Sequence, residues 1–387
     1  MDEILIYLPF EVKQIIEIIN SHNHAAYAVG GCARDMVMGN IPNDFDITTS
    51  AMPNQIIEIF ESRGIKTIPT GIKHGTVSVL MSGKIYEITT FRTDGDYKDS
   101  RHPESVSFTD KLSDDLVRRD FTINAMAADI GGKVYDLFGG IDDINAKILR
   151  CVGDPYKRFS EDALRILRGV RFSSRLGFKI HDDTFLAAKE LGCKLENVSI
   201  ERKISELSGI LLSNSANKGI ETIFELGIED HIIKGLKAPK MNIDLAPKTF
   251  ECRMAALIYG SDNIDLSILK LSNQQKRDIS LLLNKPNFEY SEIFARKLLR
   301  DYKNLAVDIC LLYGQSDVAD LVKAQVKLNP CINISELVIN GNDISALGID
   351  KRNISKALNF ALDKVIESPS LNQKDILLEY VKDKFFL

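Results

Sequence analysis

The chain has 387 residues, 44% of them hydrophobic and 27% charged, with a net charge of −5. That balance belongs to a folded protein with more than one core and excludes a disordered chain. It also excludes binding to a polyanion through bulk charge, so any nucleic-acid contact must use local basic patches.

The acidic opening MDEILIYLPFEVKQ lacks the basic region and cleavage site of a secretory signal. AAYAV (25–29) reads as a strand ending at Gly30-Gly31, and VGGCARD runs on into a helix bearing Arg34 and Asp35. A double glycine lets backbone N–H groups approach an anion, and a helix start behind it favours negative charge. PNDFDITTS (42–50) comes next. On a strand, residues two apart share a face, ~6.5–7 Å from each other. Asp44 and Asp46 therefore converge, and Phe45 turns into a core. Such a pair can hold Mg²⁺, which takes one or two protein carboxylates plus phosphate oxygens and waters. A solvated turn before a strand reads the same way. Ser50 is placed as the N-cap of a helix with Pro53 in its first turn. HGTVSVLMSG and KIYEITTFR alternate apolar and polar residues around Ser82-Gly83, which predicts an antiparallel hairpin. Glu87 on its second strand is either a third carboxylate or an exposed strand residue. Residues 93–107 are polar and Pro/Gly-punctuated, hence a long loop.

DDLVRRDFTINAMAADI (114–130) reads as a helix. Arg119 faces phosphate or base and Asp120 a ribose hydroxyl, or both arginines pair locally with Asp114 and Asp115. RFSEDALRILRGVRF (158–172) reads as one helix with Asp162, Arg165, Arg168 and Arg171 on a broad stripe, since steps of three drift only ~60° around a 3.6-residue turn. Three arginines to one aspartate suit an anionic ligand. Asp162 accepts from an exocyclic amine while Arg165 donates to the neighbouring ring nitrogen. Cytosine and adenine offer that polarity; uracil and guanine reverse it. An i,i+3 surface ion pair is the plain alternative. Helical periodicity continues over 182–191, 199–213, 217–226, 247–259, 274–284, 290–313, 317–327 and 352–367, with ARKLLRDYK (295–303) as a basic patch for RNA phosphates or a solvated face. Six scattered cysteines without a CxxC pair predict reduced thiols in a cytoplasmic protein. No apolar run reaches the ~18 residues that span a bilayer.

The ordered motifs VGGCARD, DFDITTS, KHGTVSVL, YEITTFRTDGDY, RHPESVSF, DLVRRDFTINAMA, DLFGGIDDI, LRCVGDP and RFSEDALRILRGVRF resemble those of bacterial class II CCA-adding enzymes, the tRNA nucleotidyltransferases of the polymerase-β-like superfamily. The resemblance is strong over residues 25–230 and fainter at LVINGNDISALGI. It implies an α+β fold: a nucleotidyltransferase head (1–150), then a helical neck (151–198), body (199–270) and tail (271–387). It implies Mg²⁺ on Asp44 and Asp46, triphosphate on Gly31 and Arg34, and nucleotide contacts from Arg119 and Asp120. Asp162 and Arg165 would template CTP or ATP, supported by Arg168 and Arg171. The partners implied are the tRNA 3′ end, CTP and ATP, with no membrane and no obligate protein partner. The 93–107 loop would be the family's flexible element for terminal A addition. Related alternatives are an A-adding enzyme, a CC-adding enzyme or a poly(A) polymerase. An alternative of another class is a non-catalytic RNA-binding protein on the same fold.

Overall fold

The structure is a computed structural model that describes residues 4–94, 106–262 and 264–386. The loop expected over 93–107 lies mostly outside the described residues. The chain divides into two compact units, Met1–Leu236 and Lys237–Leu387.

The first unit opens with helix α1 (Phe10–Asn20) and then builds a seven-stranded sheet. Its strands are β1 (Ala26–Val29), β2 (Asp46–Thr49), β3 (Thr67–Gly71), β4 (Thr76–Met81) and β5 (Lys84–Thr90), joined later by β8 (Met126–Ala128) and β9 (Val134–Asp136); β6 (Arg92–Asp94) and β7 (Val106–Phe108) form a separate ribbon. The spatial order is β3-β4-β5-β2-β1-β8-β9, antiparallel except for the central β2/β5 pair. The predicted hairpin joins β4 to β5. Its turn residues, Ser82 and Gly83, both have positive φ (51° and 76°), as a two-residue type I′ connection requires.

Period-two alternation gives the sheet two different faces. Ala28, Ile47, Val77, Val79 and Ile88 pack with Val12, Ile15, Ile16 and Ile19 of α1 and with Ile56 and Phe60 of helix α3 (Pro53–Glu61), and Phe45 leans on the same core, as expected. The opposite face carries Val29 and Ala127 beneath Leu116 of helix α4 (Leu112–Val117), and leaves the β2 end polar. Helix α2 (Gly31–Val37) follows β1 directly.

Three sequence expectations for the first unit need correction. Met52, not Ser50, precedes α3; the Ser50 hydroxyl instead accepts a hydrogen bond from Ala25 N, closing the β1/β2 end. Residues 114–130 are not one helix. After α4 the chain makes a short 3₁₀ turn (Thr122–Asn124), and Met126–Ala128 becomes a strand between β1 and β9. These small residues are buried completely, so sheet pairing overrides the helix propensity of alanine. The third correction is the RFSEDALRILRGVRF segment, which forms two helices, α6 (Pro155–Glu161) and α7 (Leu164–Leu176), with helix α5 (Gly140–Ala146) before them. Asp162 between them is extended, at φ −145° and ψ 104°. Helices α8 (Asp182–Leu191), α9 (Ile200–Leu211) and α10 (Ala216–Leu226) complete this part of the unit.

The second unit shows helices and no strand among its described residues. The 290–313 segment is two helices, Glu292–Tyr302 and Ala306–Leu312, because Lys303 takes φ 52° and breaks the hydrogen-bond ladder. Arg296 in the basic patch is 5% exposed and donates to the Ile366 and Glu367 carbonyls, while Arg300 pairs with Asp301 and Asp363. Those arginines tie helices of this unit together; they are not a bare cationic face.

Ile47 anchors β2 in the core and has no exposed area to speak of. Ile47→Ala should lower unfolding free energy by about 2–5 kcal/mol in a urea titration.

Candidate active site

Two cavities stand out in the first unit. The larger, about 610 Å³, lies by the end of α7, α8 and α10 and is lined by Phe178, Ile180 and Phe185 with Lys179, Lys218, Asp182 and Glu225. Its charges cancel, and none of the sequence-predicted residues reaches it. The other, about 500 Å³, gathers Gly30, Gly31, Arg34, Asp46, Arg118, Arg119, Asp120, Asn124, Asp162, Arg165, Arg168, Arg171 and Arg202. Arginines outnumber acids there. This is the candidate site.

Asp46 opens β2, in register with Glu87 of β5. Asp44 lies two residues earlier, in the irregular approach to the strand, and is exposed. Asp46 keeps solvent contact, yet enough protein surrounds it that desolvation leads a rise in its pKa; Glu87 and Asp44 add to the rise and Arg119 opposes it. Three carboxylates within electrostatic reach form an edge that a cation would relieve. Among the described residues no group of three or more His, Cys, Asp or Glu side chains closes into a protein-only metal cage. Mg²⁺ does not need one, since it keeps waters and takes substrate oxygens. The residues therefore fit such an ion.

Asp115 of α4 is wholly buried and organises the arginines behind this edge. It accepts from Arg118 at 2.7 Å and Arg119 at 3.1 Å, and from the Thr48 hydroxyl of β2 at 3.4 Å. Arg118 and Arg119 both line the cavity, although on a regular helix they would have diverged; α4 ends at Val117, which frees both. Burial acts to raise the Asp115 pKa, but the two guanidinium charges outweigh it and hold it below the ordinary aspartate value. Gly30 makes room for Arg119. It has φ 77°, and a Cβ there would lie 2.9 Å from Arg119 Nη1, whereas one at Gly31 meets only ordinary contacts. The sterically constrained glycine is thus Gly30.

Arg34, 3% exposed, donates to Asn124 Oδ1 at 2.6 Å and pairs with Asp35 at 2.7 Å. Asn124 donates in turn to Asp120 Oδ1, and Asp120 Oδ2 takes Arg168 at 2.7 Å. Burial would raise the Asp120 pKa; Arg168 and the hydrogen bonds of Asn124 and Phe121 N bring it below its ordinary value. Asp120 is therefore engaged by protein on both oxygens. Arg171 forms an ion pair with Glu206 of α9 at 2.9 Å.

The break at Asp162 changes the predicted stripe. Arg165, Arg168 and Arg171 share α7, but Asp162 stands outside it, capping Leu164 N with Oδ1 and accepting from Arg202 of α9 through Oδ2 at 2.8 Å. Arg165 contacts Glu161 at 2.6 Å and the carbonyls of Arg158 and Arg118. Asp162 and Arg165 nevertheless line the same cavity.

Residues 26–150 match the family model described as the poly A polymerase head domain, and residues 177–239 the one described as a probable RNA and SrmB-binding site of polymerase A. The CCA-adding enzyme of Staphylococcus epidermidis is 36% identical over 96% of this chain and 97% of its own. The chain belongs to the CCA-adding enzyme family. The family member from Enterococcus faecalis is 35% identical, with 97% of each chain covered. The crystal structure of the Bacillus stearothermophilus CCA-adding enzyme in complex with CTP matches at a TM-score of 0.85 and 30% identity over 98% of both chains. The α+β fold expected for a nucleotidyltransferase of this family is the one observed.

The local pairing of Arg118 and Arg119 with Asp115 is one of the two readings the sequence offered. Asn124, Arg202 and Glu206 were not singled out from sequence. Their partners lie 90 residues away for Asn124 with Arg34 and 40 for Arg202 with Asp162, beyond any local pattern.

The depressed Asp115 pKa means that its stabilisation is complete above the unfolded value of ~3.9 and is lost as pH falls through the lower folded value. Asp115→Asn should cost about 3–5 kcal/mol at neutral pH and flatten the loss of stability on acidification, as read from denaturation midpoints across pH.

Proposed function

We propose that the chain adds C, C and A to the 3′ end of tRNA without a nucleic-acid template, using CTP and ATP and releasing pyrophosphate. The observation that carries this reading is the convergence, on one cationic cavity, of Asp46 at the start of β2 with Asp162 and Arg165. The tRNA 3′-hydroxyl attacks the α-phosphate in line, and pyrophosphate departs. Two Mg²⁺ ions, held by Asp44 and Asp46 with Glu87 beside them, would supply Lewis-acid charge to the attacking and leaving oxygens.

The chain's own groups do the positioning. Arg34, Arg119 and the backbone at Gly31 hold the triphosphate, and Arg119 is itself kept in place by Asp115. Asp120 orients Arg168 through its carboxylate and faces the ribose side of the cavity. Asp162 and Arg165 present an acceptor beside a donor, the polarity that matches cytosine and adenine. Asp162 can accept further bonds because each carboxylate oxygen has two lone pairs. No protein nucleophile is required, and catalysis rests on placement and preorganised charge. Residues 1–150 act as head, 151–198 as neck, 199–270 as body and 271–387 as the tRNA-binding tail. Six free thiols fit a reducing cytoplasmic setting.

A-adding, CC-adding and poly(A)-forming activities are the related readings. Relatives named as CCA-adding over nearly their full length favour the complete reaction.

With tRNA lacking its 3′ CCA, Mg²⁺, CTP and ATP, the product should grow by three nucleotides on a sizing gel. A stop after two C residues, addition only to a CC end, or a long adenylate ladder would each assign a different enzyme. Asp46→Asn should slow addition by roughly 10³-fold or more, since several kcal/mol of transition-state stabilisation depends on the edge. Metal-free CTP binding should change by only about twofold, because that variant leaves the arginines in place. Asp162→Ala should erode the preference for CTP over UTP more than it weakens triphosphate binding; unchanged selectivity sinks the template assignment.

A further inference from the structure

Phe172 follows Arg171 on α7, lines the candidate cavity and is 6% exposed. Three guanidinium groups surround its ring. The central carbons of Arg34, Arg168 and Arg171 lie 5.4, 5.5 and 4.9 Å from the ring centroid. All three fall within the ~6 Å at which an aromatic quadrupole attracts a cation. Arg34 comes from α2 and the other two from α7, so one ring neighbours cations from two separate helices. Arg34 pairs with Asp35, Arg168 with Asp120 and more distantly with Glu206, and Arg171 with Glu206; no carboxylate joins all three, and the ring is a group that all three share.

The ring is itself held from behind. Fully buried Phe121 meets it edge-on, with centroids 5.9 Å apart and planes at 78°. Phe121 in turn follows Asp120, the carboxylate that engages Arg168, and gives its backbone N–H to that carboxylate. A displacement of the ring would therefore be felt by Arg34, Arg168 and Arg171 together.

We propose that Phe172 is a positioning residue for the incoming nucleotide. Its π-system fixes the spacing between Arg34, on the triphosphate side, and Arg168 with Arg171, on the base side, so that one nucleoside triphosphate is gripped in register at both ends. The chemical demand is an aromatic ring with a negative face; apolar bulk alone does not meet it. This role rests on the reading of the cavity as a nucleotide site.

The test measures CTP and ATP binding to the full chain by calorimetry without metal, followed by KM and kcat with Mg²⁺ and tRNA. Phe172→Leu should raise the CTP dissociation constant about 5–30-fold, the loss of two or three cation–π contacts, with KM rising more than kcat falls. Phe172→Tyr, which keeps the ring, should remain within about threefold of wild type. Because leucine also alters packing, a second series replaces Phe172 with difluoro- and pentafluorophenylalanine, which keep the shape and progressively remove the negative face. Affinity that falls stepwise with fluorination at an unchanged melting temperature supports the role. Equal affinity of the native and pentafluorinated proteins overturns it, whatever the leucine variant does. Failure of the unmodified protein to bind CTP is a different result: it removes the nucleotide reading of the cavity, and this inference with it.

Discussion

Packing several guanidinium groups around one cavity is possible only if each is tethered by an acid that cannot drift away. Asp115, Asp120 and Glu206 do this from almost wholly buried positions. Burying a lone carboxylate costs several kcal/mol, and so does leaving an arginine without its partner. The two costs offset each other only when the geometry is held. The result is a pocket whose positive charge is preorganised before any anion arrives, so little reorganisation is needed when phosphate enters. The sheet matters chiefly because it sets this geometry: Thr48 on β2 reaches Asp115, and the next residue toward the cavity but one is Asp46.

The carboxylate edge obeys the opposite logic. Burial, then the neighbouring Glu87 and Asp44 charges, raise the proton affinity of Asp46, against the pull of Arg119. Like charges are assembled there without an internal cation sufficient to satisfy them. Side by side, an arginine basket in which guanidinium groups outnumber the acids that tether them and an acid-rich strand end form a dipolar pocket suited to a triphosphate and its counter-ions.

Much of this was readable in the chain. Strand alternation placed Asp46 and Glu87 on exposed positions of β2 and β5. Asp44 and Phe45 precede β2, so the shared strand face expected for Asp44 and Asp46 does not form, although Phe45 still leans on the core. The turn at Ser82-Gly83 follows from backbone sterics alone. The break at Asp162 was hidden because the arginines continue with helical spacing on its far side, and periodicity does not register a single extended residue. A local signal existed: an aspartate before Ala163-Leu164 is a natural helix cap. The strand at Met126–Ala128 was hidden for a different reason, since small apolar residues favour a helix until two neighbouring strands claim their backbone. Helix α1 was overlooked although Val12, Ile15, Ile16 and Ile19 carry a plain three-and-four repeat. The tethers Asn124, Arg202 and Glu206 were beyond reach, because only the fold brings them to their partners.

Every residue lining the candidate cavity precedes Leu236, within the first compact unit. The second unit carries its own core and spends Arg296 on its own helices. A substitution confined to the second unit therefore leaves every side chain of the chemical pocket in place, so the two units can be altered separately.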